Sequence, residues 1–263
     1  MRHLGILVFA CITFISCKEK QTETATALPE TAEVVTPPTN KELPFKIHPI
    51  SHATMVLQWG DTTIYIDPVG GAEVFAAYPQ PDLILVTDIH GDHLNVKTIE
   101  GLDTSKAKIM VPQAVADKMP EAFVPQLDVL NNGDSKERFG FSVEAIPMYN
   151  LREEALKFHT KGRGNGYVIE KDGTRVYISG DTEDIPEMRA LKNIDAAFVC
   201  MNLPYTMTEV SAADAVLEFA PKTMYPYHYR GTEGLSDVAN FKTIVNKGNP
   251  AINVVQLDWY AKK

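Results

Sequence analysis

Asp88, His90, Asp92 and His93 place four potential metal donors within six residues, in the run Thr87-Asp88-Ile89-His90-Gly91-Asp92-His93. In extended backbone Asp88 and His90 are two apart and face the same side. Gly91 permits a sharp turn, so Asp92 and His93 are free to swing back toward the same point. The run follows DLILVT, residues 82–87, a continuous apolar stretch that predicts a strand covered on both faces. Ionisable side chains at the end of a buried strand are costly unless paired or bound to a cation. Imidazole nitrogen with carboxylate oxygen is the donor mixture that suits borderline ions such as Zn²⁺.

The elements that must position these residues are short strands separated by turn residues. Apolar and β-branched runs predict strands over 45–50, 53–58, 62–66, 108–112, 141–147, 166–170, 175–179, 195–201, 223–227 and 252–257. Gly60-Asp61 and Asp172-Gly173 mark hairpin turns. Helices are predicted over 96–102, 114–118, 187–191 and 236–245. The clearest is 209–219, entered through Thr208 as N-cap and closed before Pro221, with Val210, Ala213, Val216 and Leu217 at helical spacing. Many strands with interspersed helices predict two packed sheets with helices outside. Gly162, Gly164 and Gly166 in KGRGNG lack the Lys-Ser/Thr and following helix of a phosphate-binding loop, and predict a mobile loop.

The Thr87–His93 segment resembles the HxHxDH signature of the metallo-β-lactamase superfamily, with Asp88 in place of the first histidine. Gly180-Asp181-Thr182, after the RVYIS strand, stands where that family places a metal-bridging aspartate. His228, in Tyr227-His228-Tyr229, matches its last histidine ligand. His52-Ala53-Thr54 and Asp67-Pro68 add a likeness to the branch containing ascorbate-6-phosphate lactonase and N-acylphosphatidylethanolamine phospholipase D. The resemblance implies an α+β chain folded as an αβ/βα four-layer sandwich over residues 44–263. It also implies two divalent metal ions, Zn or Mn. Asp88, His90 and His159 would serve one ion, Asp92, His93 and His228 the other, and Asp181 would bridge them. A hydroxide between the ions would attack a phosphodiester or a lactone or ester bond, with Asp92 and Asp181 as the catalytic carboxylates. The oxygen of Asp88 should favour Mn²⁺ or Fe²⁺ over Zn²⁺ somewhat.

One ligand is ambiguous. Relatives carry a histidine after the strand that here ends in Met148-Tyr149-Asn150, so either the following loop delivers His159 or Asn150 stands in its place. Imidazole binds borderline metals better than an amide, which favours His159. Tyr205, Tyr229 and Arg163 are candidate contacts for a small-molecule or lipid-like ester substrate, with Tyr149, Lys161 and Arg230 nearby in sequence. His52 and Asp67 are candidates for hydrogen-bonding the ligands from behind. The alternative reading is a non-catalytic, metal-dependent binding or scaffolding protein that keeps the fold.

Composition narrows the remaining classes. The chain has 263 residues, 44% hydrophobic and 22% charged, enough to bury a sizeable core. A formal net charge of −9 argues against a nucleic-acid binder with a broad basic face. Cys11, Cys17 and Cys200 are too few for a disulfide framework. Residues 1–16 read as a lipoprotein signal peptide: a basic start, an apolar run too short to span a bilayer, then Phe14-Ile15-Ser16-Cys17, which resembles a lipobox. Cys17 would then be lipidated, and residues 17–43, rich in Thr and Pro and without Gly or aromatic residues, would form a disordered tether. That organisation predicts an exported bacterial lipoprotein, periplasmic or at the cell surface, held to the membrane through Cys17. The sequence does not fix its oligomeric state.

Overall fold

A computed structural model describes residues 42–261. The expected signal and all but the last two residues of the expected tether lie outside them. Hydrophobic alternation organises the first half into one sheet. Strands β1 (Phe45–Ser51), β2 (Thr54–Trp59) and β3 (Thr62–Ile66) form an antiparallel meander, and β4 (Leu83–Leu85), β5 (Lys108–Val111) and β6 (Leu127–Val129) continue it in parallel, in the order β1-β2-β3-β4-β5-β6. Residues of opposite parity take opposite faces, as a pleated strand requires. Val56, Tyr65, Ile84 and Ile109 pack outward with Ile99 of α1 (Val96–Gly101) and Val115 of α2 (Gln113–Ala116). Leu57, Ile64, Leu83 and Met110 point inward to the central core.

The second half repeats the plan. β7 (Ser135–Arg138), β8 (Phe141–Met148), β9 (Gly164–Lys171) and β10 (Thr174–Ile178) are antiparallel. β11 (Ala196–Cys200) and β12 (Thr223–Tyr227) extend β10 in parallel. A two-strand ribbon, β13 (Arg230–Gly231) with β14 (Gly234–Leu235), follows, and β15 (Asn253–Val254) closes the second sheet beside β12. Helices α3 (Pro186–Arg189), α4 (Glu209–Phe219) and α5 (Val238–Gly248) accompany this sheet, with α4 packed on α5. One core joins both sheets and these helices, and it contains Met55, Phe141, Tyr167, Phe198, Val216 and Phe241. The expected two-sheet sandwich with outer helices is the observed architecture. Among the described residues no helix is long and apolar enough to cross a membrane.

Helix α4 has the predicted bounds. The Thr208 side chain accepts from the Ser211 amide, and Ala220 ends the helix in a left-handed conformation before Pro221. Its buried face is Ala212, Ala213, Ala215, Val216 and Phe219, whereas Val210 is exposed, so the inward stripe is rotated from the expected one. Strands β6 and β7 were not anticipated. They are short, and Ser135–Arg138 is polar throughout, as an edge strand tolerates.

A larger correction concerns KGRGNG. It is not a mobile loop from Gly164 on: Gly164–Lys171 is a buried strand whose glycines admit close backbone approach. A Cβ at Gly166 would lie 2.8 Å from the Ser179 carbonyl oxygen and 2.9 Å from that of Ile178. The neighbouring Asn165 amide donates to the Thr87 carbonyl at 2.9 Å, and the Tyr167 hydroxyl to the Val86 carbonyl at 2.9 Å, so this strand fastens one sheet to the other. Gly166→Ala should therefore cost about 1–3 kcal/mol of stability through overpacking against backbone. A thermal midpoint equal to wild type would show that β10 gives way to the added methyl at no cost.

Candidate metal centre

The donors gather at one end of the sandwich because each follows the carboxyl end of a strand. Asp67 follows β3, Asp88 to His93 follow β4, Asp181 follows β10 and His228 follows β12. His159 comes from the loop between β8 and β9, and His52 from the turn between β1 and β2. Three of these residues, His52, Asp67 and His228, have φ between 43° and 48°. Left-handed backbone costs a residue with a Cβ about 1–2 kcal/mol, and such strain collects where side-chain direction matters more than backbone ease.

Asp181 is the hub. His93 Nε2 lies 3.4 Å from Asp181 Oδ2, His228 Nε2 3.3 Å from Asp181 Oδ1, and His159 Nε2 3.4 Å from Asp181 Oδ2. Asp92 completes one side, with Oδ2 3.2 Å from His228 Nε2 and Oδ1 3.9 Å from His93 Nε2. Donors about 2.0–2.2 Å from a tetrahedral ion stand roughly 3.3–3.5 Å apart, so the three separations from Asp181 are those of a coordination shell rather than of hydrogen bonds. His93 Nε2, His159 Nε2, His228 Nε2 and Asp181 Oδ1 are also buried without any hydrogen-bond partner. Buried polar atoms are rarely left so, and His93, His228 and Asp181, whose donor atoms lie together, fit a divalent cation, with His159 on the other side of Asp181.

The imidazoles are set in the ligating tautomer from behind. Asp67, fully buried, accepts from the Thr87 amide at 2.7 Å, the Thr87 hydroxyl at 2.6 Å and His93 Nδ1 at 2.8 Å. His159 Nδ1 donates to the Tyr205 carbonyl at 3.1 Å, and His90 Nδ1 to Asp88 Oδ2 at 2.7 Å. In the His159 and His90 rings Nε2 is thereby left with its lone pair. Against its burial, Asp181 and Asp67 push the His93 imidazole well above its ordinary pKa, so a cation at His93 Nε2 would take the place of a proton. Burial pushes the His159 imidazole below its ordinary pKa, which keeps it neutral, as ligation requires. Burial would raise Asp181, but His228 and His93 overcome it and hold the carboxyl well below the usual range. Asp92 is likewise lowered against its burial, by the close approach of His228 Nε2 and by the charge of His93.

The structure brings His159, not Asn150, to Asp181. Asn150 is buried behind the loop, where its amide donates to the carbonyls of Ala155 at 2.9 Å and Tyr205 at 2.7 Å and so shapes the segment that carries His159. The expected substrate contacts divide. Tyr205 lines a cavity of about 270 Å³ together with His90, Asp92, Phe158, His159 and Asp181. Tyr229 is buried beside Tyr260 and away from those lining residues. Arg163 turns to Asp88, with Nε 3.1 Å from Oδ1 and Nη2 2.9 Å from Oδ2, so its guanidinium is spent on a carboxylate of the site. Lys161 pairs with Glu187 and Tyr149 at the surface, and Arg230 lies over the Tyr260 ring.

Phe158 escaped the sequence reading, although it adjoins His159; its ring meets that of Tyr205 edge-on at 5.1 Å and forms the apolar wall of the cavity. Thr87 escaped it too, because a threonine at a strand end carries no signal of the buried aspartate it serves. His52 stands edge-on to His228 at 5.4 Å, with a nitrogen close to both Asp92 and His228.

Asp67→Asn tests the support beneath His93. An amide offers one acceptor oxygen where three donors converge, so one donor faces an NH₂ group. Loss of a hydrogen bond to a buried charge costs about 1.5–3 kcal/mol, and loss of such an outer partner about 10–100-fold in metal affinity. Calorimetric zinc titration of the variant with wild-type affinity would show that Asp67 does not orient His93.

Comparison with known proteins agrees with this geometry. A beta-lactamase superfamily domain matches residues 46–228. A metal-dependent hydrolase of Thermococcus onnurineus is 30% identical over 209 residues, covering 76% of this chain and 92% of its own. A crystal structure from Parabacteroides distasonis, described as a metal-dependent hydrolase, is 38% identical with a TM-score of 0.72, covering 81% of this chain and 92% of that one. The metallo-hydrolase Igni18 of Ignicoccus hospitalis, 22% identical with a TM-score of 0.69 over 81% of this chain and 94% of its own, shares the fold. With two sheets, strand-end donors and matched sequence over most of its length, this chain belongs to the metallo-β-lactamase superfamily, among its metal-dependent hydrolases.

Proposed function

We propose that the protein hydrolyses a phosphodiester or a lactone or ester bond of a small or lipid-like substrate, using Zn²⁺ or Mn²⁺ held around Asp181. The observation that carries this reading is the set of buried, partnerless donor atoms around Asp181, with His93 and His228 on one side and His159 on the other, beside an aromatic-lined cavity. A divalent cation there supplies Lewis acidity and brings the pKa of water near neutrality. Asp92, His93, Asp181 and His228 would hold it, with His159 across Asp181 and His90 at the rim. Asp181 stays ionised, with Oδ1 toward His228 and Oδ2 toward both His93 and His159. Asp92 is half-exposed and also stays ionised, so it can accept a hydrogen bond from water at the cavity mouth and orient it. Phe158 and Tyr205 would receive the carbon skeleton of the substrate and exclude bulk water from one wall. No lysine or arginine lines that cavity among the described residues, so an anionic substrate group would be met by the cation.

The test is a panel of chromogenic phosphodiester, ester and lactone probes on metal-replete full-length protein. Turnover of one class should fall about 10³-fold or more in Asp181→Ala and His93→Ala, with the fold retained by circular dichroism. His159→Ala should depress turnover strongly and Asn150→Ala more mildly. Metal uptake with no turnover on any probe would favour the binding-protein alternative. Unchanged turnover and metal content in both first variants would refute the centre.

The same proposal extends to location, on the strength of the FISC motif alone. Two or more acyl chains on Cys17 would anchor an exported protein, one chain being only marginal. Cys17→Ser should then move the protein from the membrane to the soluble fraction. Wild-type protein that fractionates as soluble and carries no lipid mass would overturn the anchor.

A further inference from the structure

We propose that the two sides of Asp181 are unequal as metal subsites, because the guanidinium of Arg163 already serves as the cation of Asp88. The side made by Asp92, His93, Asp181 and His228 then binds one divalent ion tightly, and the His90–His159 side binds a second only weakly. This rests on the metal-dependent reading above and goes beyond it to the stoichiometry.

The two sides differ in what their carboxylates face. Asp88 is fully buried, and both of its oxygens are taken: Oδ1 by Arg163 Nε, Oδ2 by Arg163 Nη2 and by His90 Nδ1. The 2.7 Å between His90 Nδ1 and Asp88 Oδ2 is a hydrogen bond, too short for two donors flanking an ion. His159 Nε2 stands farther off, 3.9 Å from Asp88 Oδ2. Arg163 is itself fixed, since Nη2 also donates to the Phe158 carbonyl at 2.5 Å, next to His159. A bidentate guanidinium holds its charge at all accessible pH values. It places a permanent positive charge beside the second subsite, where it opposes a dication.

On the other side no such cation intervenes. Among the described residues the ion pairs of Asp92 and Asp181 are all with histidines, whose Nε2 atoms lack any other partner. Two carboxylates and two neutral imidazoles balance a divalent ion. Across Asp181, the Asp88 charge is cancelled by Arg163, which leaves two imidazoles and a share of Asp181. Asp88, at the first position of the motif, thus comes with its own counter-ion in Arg163.

The experiment is equilibrium dialysis of chelator-stripped full-length protein against a zinc series, with bound metal measured by mass spectrometry and calorimetry. Wild type should take up one ion per chain tightly and a second about 100-fold more weakly. His159→Ala should remove the weak ion and spare the tight one. Arg163→Met, and the double variant Asp88→His with Arg163→Met, should raise the second affinity at least about tenfold while leaving the first in place. If either substituted protein fails to fold, the wild-type isotherm decides alone. Two ions bound within tenfold of each other in wild type would overturn the inequality and leave the hydrolase reading standing. No zinc bound at all would overturn both.

Discussion

Three carboxylates, Asp67, Asp88 and Asp181, are buried at one end of the sandwich, and the surrounding structure is arranged to make that tolerable. A buried charge costs several kcal/mol unless matched at close range. Each aspartate is matched differently. Asp67 takes three donors from one loop, two from Thr87 and one from His93. Asp88 takes a guanidinium. Asp181 has histidine edges on both oxygens, a set that is satisfied only when a cation completes it. The order matters, because Asp67 orients His93 and His93 faces Asp181: one satisfied carboxylate prepares the shell of the next.

The two-sheet plan brings these groups together without a long loop for most of them. β3 to β6 run parallel in the first sheet, and β10, β11, β12 and β15 in the second, so successive strands deliver their carboxyl ends to the same edge. Cross-sheet bonds then set the distance between them. Asn165 reaches Thr87, Tyr167 reaches Val86, and His228 donates from its amide to the His52 carbonyl at 3.2 Å. Gly164, where a Cβ would lie 2.9 Å from the Thr87 carbonyl oxygen, allows the second sheet to come that close. The strained φ at His52, Asp67 and His228 is the local cost of turning side chains back over the edge.

Much of this was legible from residue types. Apolar runs located most strands, because a strand buried on both faces has little choice of composition. Thr62–Ile66, Glu209–Phe219 and Thr223–Tyr227 lie where pattern and caps place them. The donor run and Asp181 stood out because buried ionisable residues need a reason. What stayed hidden depended on partners distant in sequence. Arg163 reads as a free cation until the fold sets it against Asp88, 75 residues away. KGRGNG reads as flexible because glycine signals both mobility and close packing, and only the opposing carbonyls of Ile178 and Ser179 decide between them. Tyr229 shares its sequence neighbourhood with a ligand, yet the strand end turns its ring toward Tyr260 instead.

The donors also divide by how they are held, and that division separates chemistry from recognition. Asp181 and His228 lie within three residues of strands that are paired on both sides, and Asp92 and His93 follow another such strand on a short turn fixed by hydrogen bonds from the His93 and Leu94 amides to the His90 carbonyl. His159 and Phe158 ride on the loop between β8 and β9, which is secured by side chains rather than by a ladder. Asn150 ties its start to Ala155 and Tyr205. Buried Glu183 accepts from the amides of Leu151 and Arg152 and pairs with the Arg152 guanidinium at 2.6 Å. Arg152 in turn reaches the carbonyls of Pro204 and Thr206, beside the segment that supplies Tyr205. One polar clamp therefore positions both aromatic walls of the cavity together. Changes in this loop can reshape the pocket around a metal shell that the strands keep fixed, which is how one scaffold serves different substrates without rebuilding its centre.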